Sequence, residues 1–294
     1  MAGATGFIGG RLTRRLREEG ASVRCLVRDP ARAAGLERAG CELHVGDITD
    51  AASLEGAGRG VDVAFFLVHA MAGGGDYAAR ERAGAANFAR MAKREGVGRV
   101  VYLGGLGEDE ASAHLRSRHQ TAEALGESGP PLTYFRAAMV VGAGSESYRT
   151  LRYLVGRLPV MITPSWLRTP TQPIGIDAVV EYLRRAPDVP GSSGREVQIG
   201  GPDILSFSEM IDRMAIAMGK HPPRRVPVPF ISPWLSSLWL GLVTPVDVAV
   251  ARPLVEGLTT PTVVTDSSGA EPFGVSSESF DESLRRALAE ERDS

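Results

Sequence analysis

Apolar runs alternate with amphipathic stretches through the first half of the chain. Runs of this kind are typical of buried parallel strands, and the stretches between them have helical periodicity. The predicted strands are Ser22–Val27, Glu42–Val45, Val61–Val68, Arg99–Leu103 and Leu132–Val141. The predicted helices are Phe7–Glu19, Asp76–Glu95 and Ala113–Glu127, and we expect left-handed glycines, Gly20, Gly96 and Gly129, at their ends. This alternation predicts an α/β fold with a doubly wound parallel sheet of the Rossmann type.

The pattern loosens after Val141 into connections that are rich in proline and glycine. This part has three further predicted helices and one strand, which are Ile176–Arg185, Ser206–Met218, Phe280–Glu290 and Arg195–Ile199 respectively. We therefore predict a Rossmann domain over residues 1–141 and a smaller, interleaved, substrate-side region over residues 142–294. Within the second region, we expect residues 171–186 to pack back on the Rossmann domain.

Three glycines, Gly3, Gly6 and Gly9, stand three residues apart where the first predicted helix begins. In dinucleotide sites the first glycine allows a tight turn, and the second lets backbone N–H groups approach the pyrophosphate at the helix N-terminus. The third permits close contact between the helix and the sheet. Because a strand follows this helix and ends in a charged residue, the pattern predicts a dinucleotide-binding loop rather than an ordinary glycine-rich turn.

The central strand that normally precedes such a loop is represented only by Met1 and Ala2. Losing about five buried apolar side chains, at ~1.5–3 kcal/mol each, would cost as much as the ~5–15 kcal/mol stability of a whole domain. We therefore expect this apparently truncated strand to continue upstream of Met1. Only Lys93 and Lys220 are lysines among 33 basic residues, which favours a GC-rich gene in which a GTG valine codon is read as the start.

The residue at the end of the second strand selects the cofactor in folds of this type. Arginine favours the 2′-phosphate of NADP(H), whereas an acidic side chain favours the ribose hydroxyl of NAD(H). The chain has Arg28 there and Arg32 one helical turn later, so we favour NADP(H). The adjacent Asp29 leaves NAD(H) possible. Asp47, which precedes Ile48 after the third strand, is placed to accept a hydrogen bond from the adenine amine, or else lies in a surface turn.

Composition and charge narrow the class of protein. The 294 residues are 43% hydrophobic and 23% charged with a formal net charge of −2, so we expect a globular protein that does not bind nucleic acid. The two cysteines lack the spacing of a zinc site, and no signal segment opens the chain, so we expect a cytoplasmic protein without a metal. The apolar segment Phe230–Val243 is interrupted by proline and shorter than the ~20 residues of a membrane span. We expect it to pack on the substrate side, with a lid or a membrane-surface patch as alternatives.

The glycine loop, Arg28 and Gly46–Ile48 resemble the extended and atypical branches of the short-chain dehydrogenase/reductase superfamily, and the likeness covers nearly the whole chain. Further segments resemble bacterial NAD(P)H-binding proteins of the atypical group, which is similar to NmrA-like proteins and to the NADPH-binding accessory subunit of respiratory complex I. These segments are Leu67–Met71, Gly73–Asp76, His114–His119, Arg136–Ser145, Leu158–Val160 and Thr171–Ile174. The resemblance implies that the cofactor is lined by Thr5, Phe7, Ile8, Leu67, Val68 and Leu103.

The catalytic residues of standard members are missing. Those members use Ser, Tyr and Lys, with the lysine four residues after the tyrosine, and none of the six tyrosines here has a lysine at that spacing. The corresponding helix carries His114 and Arg118, and the serine position falls on Gly104 or Gly105. Because histidine titrates near neutrality, we consider His114 and His69 as proton-handling candidates. Arg118 is a candidate for binding an anionic substrate or the cofactor phosphates, and packing or surface roles are the alternative for all three.

Two classes of function follow from these residues. The favoured one is an NAD(P)H-binding atypical dehydrogenase/reductase that acts on a small apolar molecule. The alternative is a non-catalytic NADP(H)-binding protein, either a redox sensor or an assembly subunit, which the missing Tyr–Lys pair favours. A quinone-linked role at the membrane surface is a third hypothesis, and it depends on family analogy and on Phe230–Val243.

Overall fold

A computed structural model of the chain describes residues 1–68, 77–107, 112–228 and 259–293. Its helices in these ranges are α1 Phe7–Glu18, α2 Ala34–Arg38, α3 Tyr77–Arg94, α4 Ala113–Ser128, α5 Glu146–Arg157, α6 Ile176–Arg185, α7 Phe207–Ala217 and α8 Phe280–Arg292. The first six strands are β1 Arg24–Val27, β2 Glu42–Val45, β3 Val63–Phe66, β4 Arg99–Gly105, β5 Leu132–Ala137 and β6 Val140–Val141. The others are β7 Val160–Thr163, β8 Pro170–Thr171, β9 Ile174–Gly175, β10 Glu196–Ile199, β11 Leu205–Ser206 and β12 Arg224–Pro227. His69 and the segment Phe230–Val243 lie outside the described residues.

The centre of the fold is a parallel sheet. Strands β3, β4, β5 and β10 pair in the order β10-β5-β4-β3, and β1 pairs with β2. Met1 and Ala2 join the two parts, because Leu26 N donates to Met1 O and Ala2 N donates to Phe65 O, both at 2.9 Å. The order across the sheet is therefore β2-β1-Ala2-β3-β4-β5-β10, and the predicted α/β, doubly wound parallel sheet is confirmed.

Helices cover both faces of this sheet because its strands are apolar on both sides. Helices α1 and α6 pack on one face, where Leu12, Phe135 and Leu183 are fully buried. Helices α3 and α4 pack on the other face, over Phe66 and Tyr102. None of the helices in the described ranges is long and apolar enough to cross a lipid bilayer.

Two of the three predicted left-handed glycines are confirmed. Gly20 and Gly96 follow α1 and α3 with φ values of +82° and +78°. The prediction for Gly129 is wrong, because this residue is extended, with φ −110° and ψ −172°. A Cβ atom at Gly129 would lie 2.6 Å from Leu125 O and 3.1 Å from the Cβ of Ala89. Gly129 is therefore explained by the close approach of the Leu125 carbonyl at the end of α4, and of Ala89 on α3, rather than by left-handed geometry.

The predicted strand Leu132–Val141 is divided in the structure. Strand β5 stays in the central sheet, whereas β6 leaves it and pairs with β9. The later part of the chain returns to the sheet through β10, which pairs with β5, and through α6, which packs against α1. A second core forms among α5, α7 and α8, around Tyr148, Met210 and Leu284. The domain boundary at residue 141 stays a prediction.

Candidate functional site

The glycine loop folds tightly against the carboxyl end of β3. Gly3 has φ +88°, and a Cβ atom there would lie 2.4 Å from Leu67 O. A Cβ atom at Gly9 would lie 2.2 Å from Gly3 O, so the third glycine allows the helix to approach the loop itself. Backbone atoms cannot rotate away as side chains can. Side chains at Gly3 and Gly9 would therefore displace the loop.

Helix α1 begins directly at this loop. Its N-cap is Gly6, no side chain caps it, and its first turn contains no acidic residue. Thr5 and Gly6 are exposed, so the N-terminus of the helix is accessible to a ligand. Backbone N–H groups and the helix dipole at such an end favour an anion, and glycine leaves room for it to approach. These residues fit the pyrophosphate of a dinucleotide.

Asp29 and Arg28, the two charged residues after β1, have different surroundings. The carboxylate of Asp29 accepts a hydrogen bond from Ala31 N at 3.0 Å and lies 3.9 Å from Nε of Arg32, so it stabilises the turn after the strand. Arg28 is exposed. The hydrogen bonds from the N–H and the hydroxyl of Thr49, with a smaller effect of the charge of Arg28, hold the pKa of Asp47 below its usual value. Because β1 and β2 are parallel and Val27 pairs with Val45, Arg28 and Asp47 lie at the same edge of the sheet.

The turn after β2 is held by hydrogen bonds within the turn and by contacts with α3. Oδ1 of Asp47 accepts hydrogen bonds from N and Oγ1 of Thr49, at 2.8 and 2.7 Å. Ile48 packs where Gly84 leaves space on α3, and its carbonyl accepts a hydrogen bond from Nδ2 of Asn87 at 2.9 Å. Helix α3 thereby fixes the position of Asp47, the predicted adenine contact.

The apolar residues of the expected cofactor lining lie along the same edge. Leu67 directly follows β3 and Leu103 lies in the last three residues of β4, and both are buried against the helices of the α1 face. Phe7 and Ile8 are partly buried and pack on the same core, and Val68 is half-buried. The structure thus brings the glycine loop and these side chains to one edge of the sheet.

His114 lies in the first turn of α4, which Ser112 caps by accepting a hydrogen bond from Leu115 N at 3.1 Å. Burial, and then the charge of Arg118, lower the pKa of His114 to about 4. The expectation that His114 titrates near neutrality is therefore wrong, because its environment disfavours the charged imidazolium. At physiological pH this side chain is a neutral imidazole, which offers one N–H donor and one acceptor.

Arg118 is buried one helical turn after His114 and lies beside a carboxylate. Its Nη1 is 3.8 Å from Oε1 of Glu81 on α3, and the two residues are only 5% and 7% exposed. Burial raises the pKa of Glu81, and the charge of Arg118 opposes that effect. Sequence reasoning missed Glu81. The available signal was a glutamate in register with the apolar stripe of α3, which continues at Ala85, Phe88 and Ala92.

The position of the missing serine is filled by aromatic rings. Tyr102 and Tyr134 stack with their centroids 5.3 Å apart beside Gly104. A Cβ atom at Gly104 would lie 2.7 Å from Cε2 of Tyr134, and one at Gly105 would lie 2.5 Å from Cδ2 of Leu115. Neither position has room for a serine without movement of its neighbours.

A family model described as NAD(P)H-binding matches residues 3–151, which is half of the chain. The protein belongs to this NAD(P)H-binding family. A nicotinamide dinucleotide is therefore confirmed as the expected ligand class, and the resemblance to the atypical short-chain dehydrogenase/reductases is confirmed together with the fold.

Three known proteins are similar to this NAD(P)H-binding protein. The (4-alkanoyl-5-oxo-2,5-dihydrofuran-3-yl)methyl phosphate reductase of Streptomyces griseus is 28% identical over 229 residues, which cover 75% of this chain and 73% of the relative. The triphenylmethane reductase of Citrobacter sp., solved with NADP(H), has a TM-score of 0.76 at 19% identity and 98% coverage of both chains. The NADPH-dependent quinone oxidoreductase of Escherichia coli, solved with NADPH, has a TM-score of 0.75, also at 19% identity and 98% coverage of both chains. At these identities, the two solved structures show a shared fold.

Proposed function

We propose that the protein is an NADPH-dependent reductase of a small, apolar, conjugated acceptor, with His114 as a neutral hydrogen-bond donor. The main support for this proposal is a combination found in one site. The glycine loop for the cofactor is intact, and the position of the family's tyrosine holds a histidine whose pKa is lowered to about 4. A group that is neutral at pH 7 polarises an acceptor oxygen by donating a hydrogen bond rather than by delivering a proton as imidazolium.

The preference for NADPH is supported by the residues after β1. The carboxylate of Asp29 is engaged by Ala31 N, so it is directed to the turn rather than to a ribose hydroxyl. Arg28 is exposed near Asp47 and has the geometry and permanent charge that suit a 2′-phosphate. Two of the similar proteins are named with NADPH or NADP(H), which agrees with this preference.

The acceptor class follows from what the residues of the site are able to do. Bound NADPH supplies a hydride. Arg118 offers guanidinium N–H donors that suit an anionic group of the cofactor or the acceptor. The ring N–H of His114 donates a hydrogen bond to an acceptor oxygen and stabilises the enolate or phenolate that hydride addition leaves, which then takes its proton from water. Such a site suits acceptors that delocalise the incoming electron pair over a conjugated system. The names of the similar proteins, which include an acyl-substituted unsaturated lactone, a quinone and a triphenylmethane dye, agree with this class.

A non-catalytic NADP(H)-binding sensor or assembly subunit is the second candidate. It is favoured by the side chains that crowd Gly104 and Gly105, since they leave no room for the serine of standard members. The two candidates predict the same affinity for the cofactor and differ in turnover.

Nucleotide titrations test the cofactor part of the proposal. We expect wild-type protein to bind NADPH more tightly than NADH, and Arg28→Ala to weaken NADPH binding by about 10–100-fold, as loss of a charge-assisted hydrogen bond should. Binding of NADH should stay within about twofold, because it lacks the 2′-phosphate. The matched control is Arg38→Ala, which removes another exposed arginine, from α2. Equal effects of the two variants, or no nucleotide binding by wild type, would contradict the proposal.

Oxidation of NADPH by a quinone, an unsaturated lactone and a triphenylmethane dye tests the catalytic part. His114→Phe should lower kcat by about tenfold or more and leave the Kd for NADPH within about twofold, whereas His114→Gln should retain more activity because it keeps an N–H donor. Tight NADPH binding without turnover of any acceptor would favour the sensor or assembly subunit instead.

A further inference from the structure

A pair of opposite charges is buried between α3 and α4 beneath His114. Nη1 of Arg118 lies 3.8 Å from Oε1 of Glu81, and the exposed fractions of their side chains are 6% and 5%. Each charge is therefore almost completely removed from water. Removing charges from water is unfavourable, so their presence here needs a reason.

The surroundings of the pair show that the helices have apolar contacts of their own. Phe66, Phe88, Ala122 and Leu125 are buried in the core that α3 and α4 share with the sheet. Apolar side chains of similar volume often replace a buried ion pair without loss of stability. The charges of Glu81 and Arg118 are thus not required merely to join the two helices.

Two hydroxyl groups complete the cluster. Oγ1 of Thr121 donates a hydrogen bond to Ser117 O at 2.9 Å and lies 3.5 Å from Oε1 of Glu81. Oη of Tyr102, from β4, donates to Arg118 O at 3.4 Å. Groups from α3, α4 and β4 therefore converge on one turn of α4. At 3.8 Å the carboxylate of Glu81 and the guanidinium of Arg118 form an ion pair rather than a direct hydrogen bond, so the attraction between the charges draws Arg118 towards α3.

We propose that Glu81 is a positioning residue whose charge holds the guanidinium of Arg118 towards α3, one helical turn from His114. The pair then occupies the place that a lysine alone has in standard members. This inference rests on the proposed function, because Arg118 matters only if the cofactor binds beside it. Glu81 itself touches neither.

A double-mutant cycle on the full chain tests this proposal. We expect Glu81→Gln, which keeps the shape and removes the charge, to weaken NADPH binding by about fivefold or more, in line with coupling energies between contacting residues. With Arg118→Gln already present, the same change should add less than about twofold, because Glu81 acts through Arg118. This non-additivity shows that Glu81 acts through Arg118, and thermal unfolding of the same variants checks that weaker NADPH binding does not simply follow a loss of folded protein.

The matched control is Glu95→Gln, at a carboxylate just beyond the end of α3. Glu95 is also mostly buried and accepts hydrogen bonds from Gly56 N and Gly58 N, at 2.7 and 2.6 Å. We expect this variant to lower Tm and to leave the Kd for NADPH within about twofold, since its partners lie outside the glycine loop and α4. If Glu95→Gln and Glu81→Gln weaken binding equally, the inference is wrong.

The outcomes distinguish failure of the positioning role of Glu81 from failure of the proposed function. If wild type binds NADPH but the effect of Glu81→Gln persists fully in the Arg118→Gln background, only the positioning role is refuted. If wild type binds no nicotinamide dinucleotide, the proposed function fails and the inference fails with it. Should Glu81→Gln not fold, Glu81→Asp keeps the charge with a shorter reach, and unchanged NADPH binding in that variant would also refute the positioning role.

Discussion

Replacing Gly9 with alanine tests how tightly the glycine loop packs. The new Cβ atom would lie 2.2 Å from the oxygen and 2.8 Å from the carbonyl carbon of Gly3, whereas ordinary contacts begin at 3.4 Å. Both neighbouring atoms belong to the backbone, so the loop itself must move by about 1 Å, given the usual separation of carbon contacts. Overpacking of this kind costs ~1–3 kcal/mol, against at most ~1 kcal/mol gained from the helix propensity of alanine.

We therefore expect Gly9→Ala to lose about 1–2 kcal/mol of unfolding free energy, which corresponds to a fall in Tm of about 2–8 °C. The displaced loop should also weaken NADPH binding by about tenfold or more, because its N–H groups no longer converge on the pyrophosphate. Gly10→Ala is the matched control in the same helix. Its Cβ atom would lie 3.4 Å from Ala4 O, so we expect unchanged binding and up to ~1 kcal/mol of added stability.

Thermal unfolding with and without saturating NADPH, combined with a fluorescence titration, measures both quantities. The reasoning is refuted if Gly9→Ala and Gly10→Ala have the same Tm and the same Kd for NADPH. A loss of stability with unchanged affinity would refute only the link between the loop geometry and the nucleotide.

Three further predictions concern other parts of the structure. Because burial lowers the pKa of His114 from 6.5 to about 4, the neutral imidazole contributes fully to the free energy of unfolding above pH 6.5, and this contribution is lost as the pH falls towards 4, by at most about 3 kcal/mol. Urea unfolding should show a weaker acid dependence in His114→Gln. The same acid dependence in both proteins would contradict the lowered pKa. Gly104→Ser, which restores the serine of standard members, should destabilise the protein by about 1–3 kcal/mol because of the ring of Tyr134, and an unchanged Tm would contradict this. Burial raises the pKa of Cys25 to about 12, and Cys41 is also buried. Neither thiol should therefore react with a thiol reagent at pH 8 until the protein is unfolded. Rapid labelling of the native protein would contradict the burial of these two side chains.

The cofactor edge was predictable because its signals are local. Glycines at three-residue spacing before an amphipathic helix require a particular turn wherever they occur in a chain, and Gly3 has the expected positive φ. The helical and strand periods of the first half of the chain located α1, β2 and α4 to within a residue or two at each end. Periodicity reports which positions must be apolar, and that suffices for a parallel sheet with helices on both faces.

The chemistry of the candidate active site was less predictable because it depends on contacts between distant parts of the chain. Glu81 and Arg118 lie on different helices, and only their packing shows that the charges meet. The pKa of His114 follows from its burial, which residue type alone does not reveal. Gly129 was misread because a glycine is required there by the close approach of Leu125 O at the end of α4, with Ala89 of α3 also near, and not by a positive φ.

The sequence by itself determined the parallel sheet, the succession of strands and helices along the first half of the chain, and the glycine loop, because these follow from periodicity and from the conformational freedom of glycine. Only the tertiary structure decided the surroundings of the residues that stand at the Tyr–Lys positions. It buried Arg118 beside Glu81 and kept His114 neutral, and it filled the serine position with the ring of Tyr134. The physical reason is that desolvation and close packing are properties of the whole set of neighbours, which the chain acquires only when it folds.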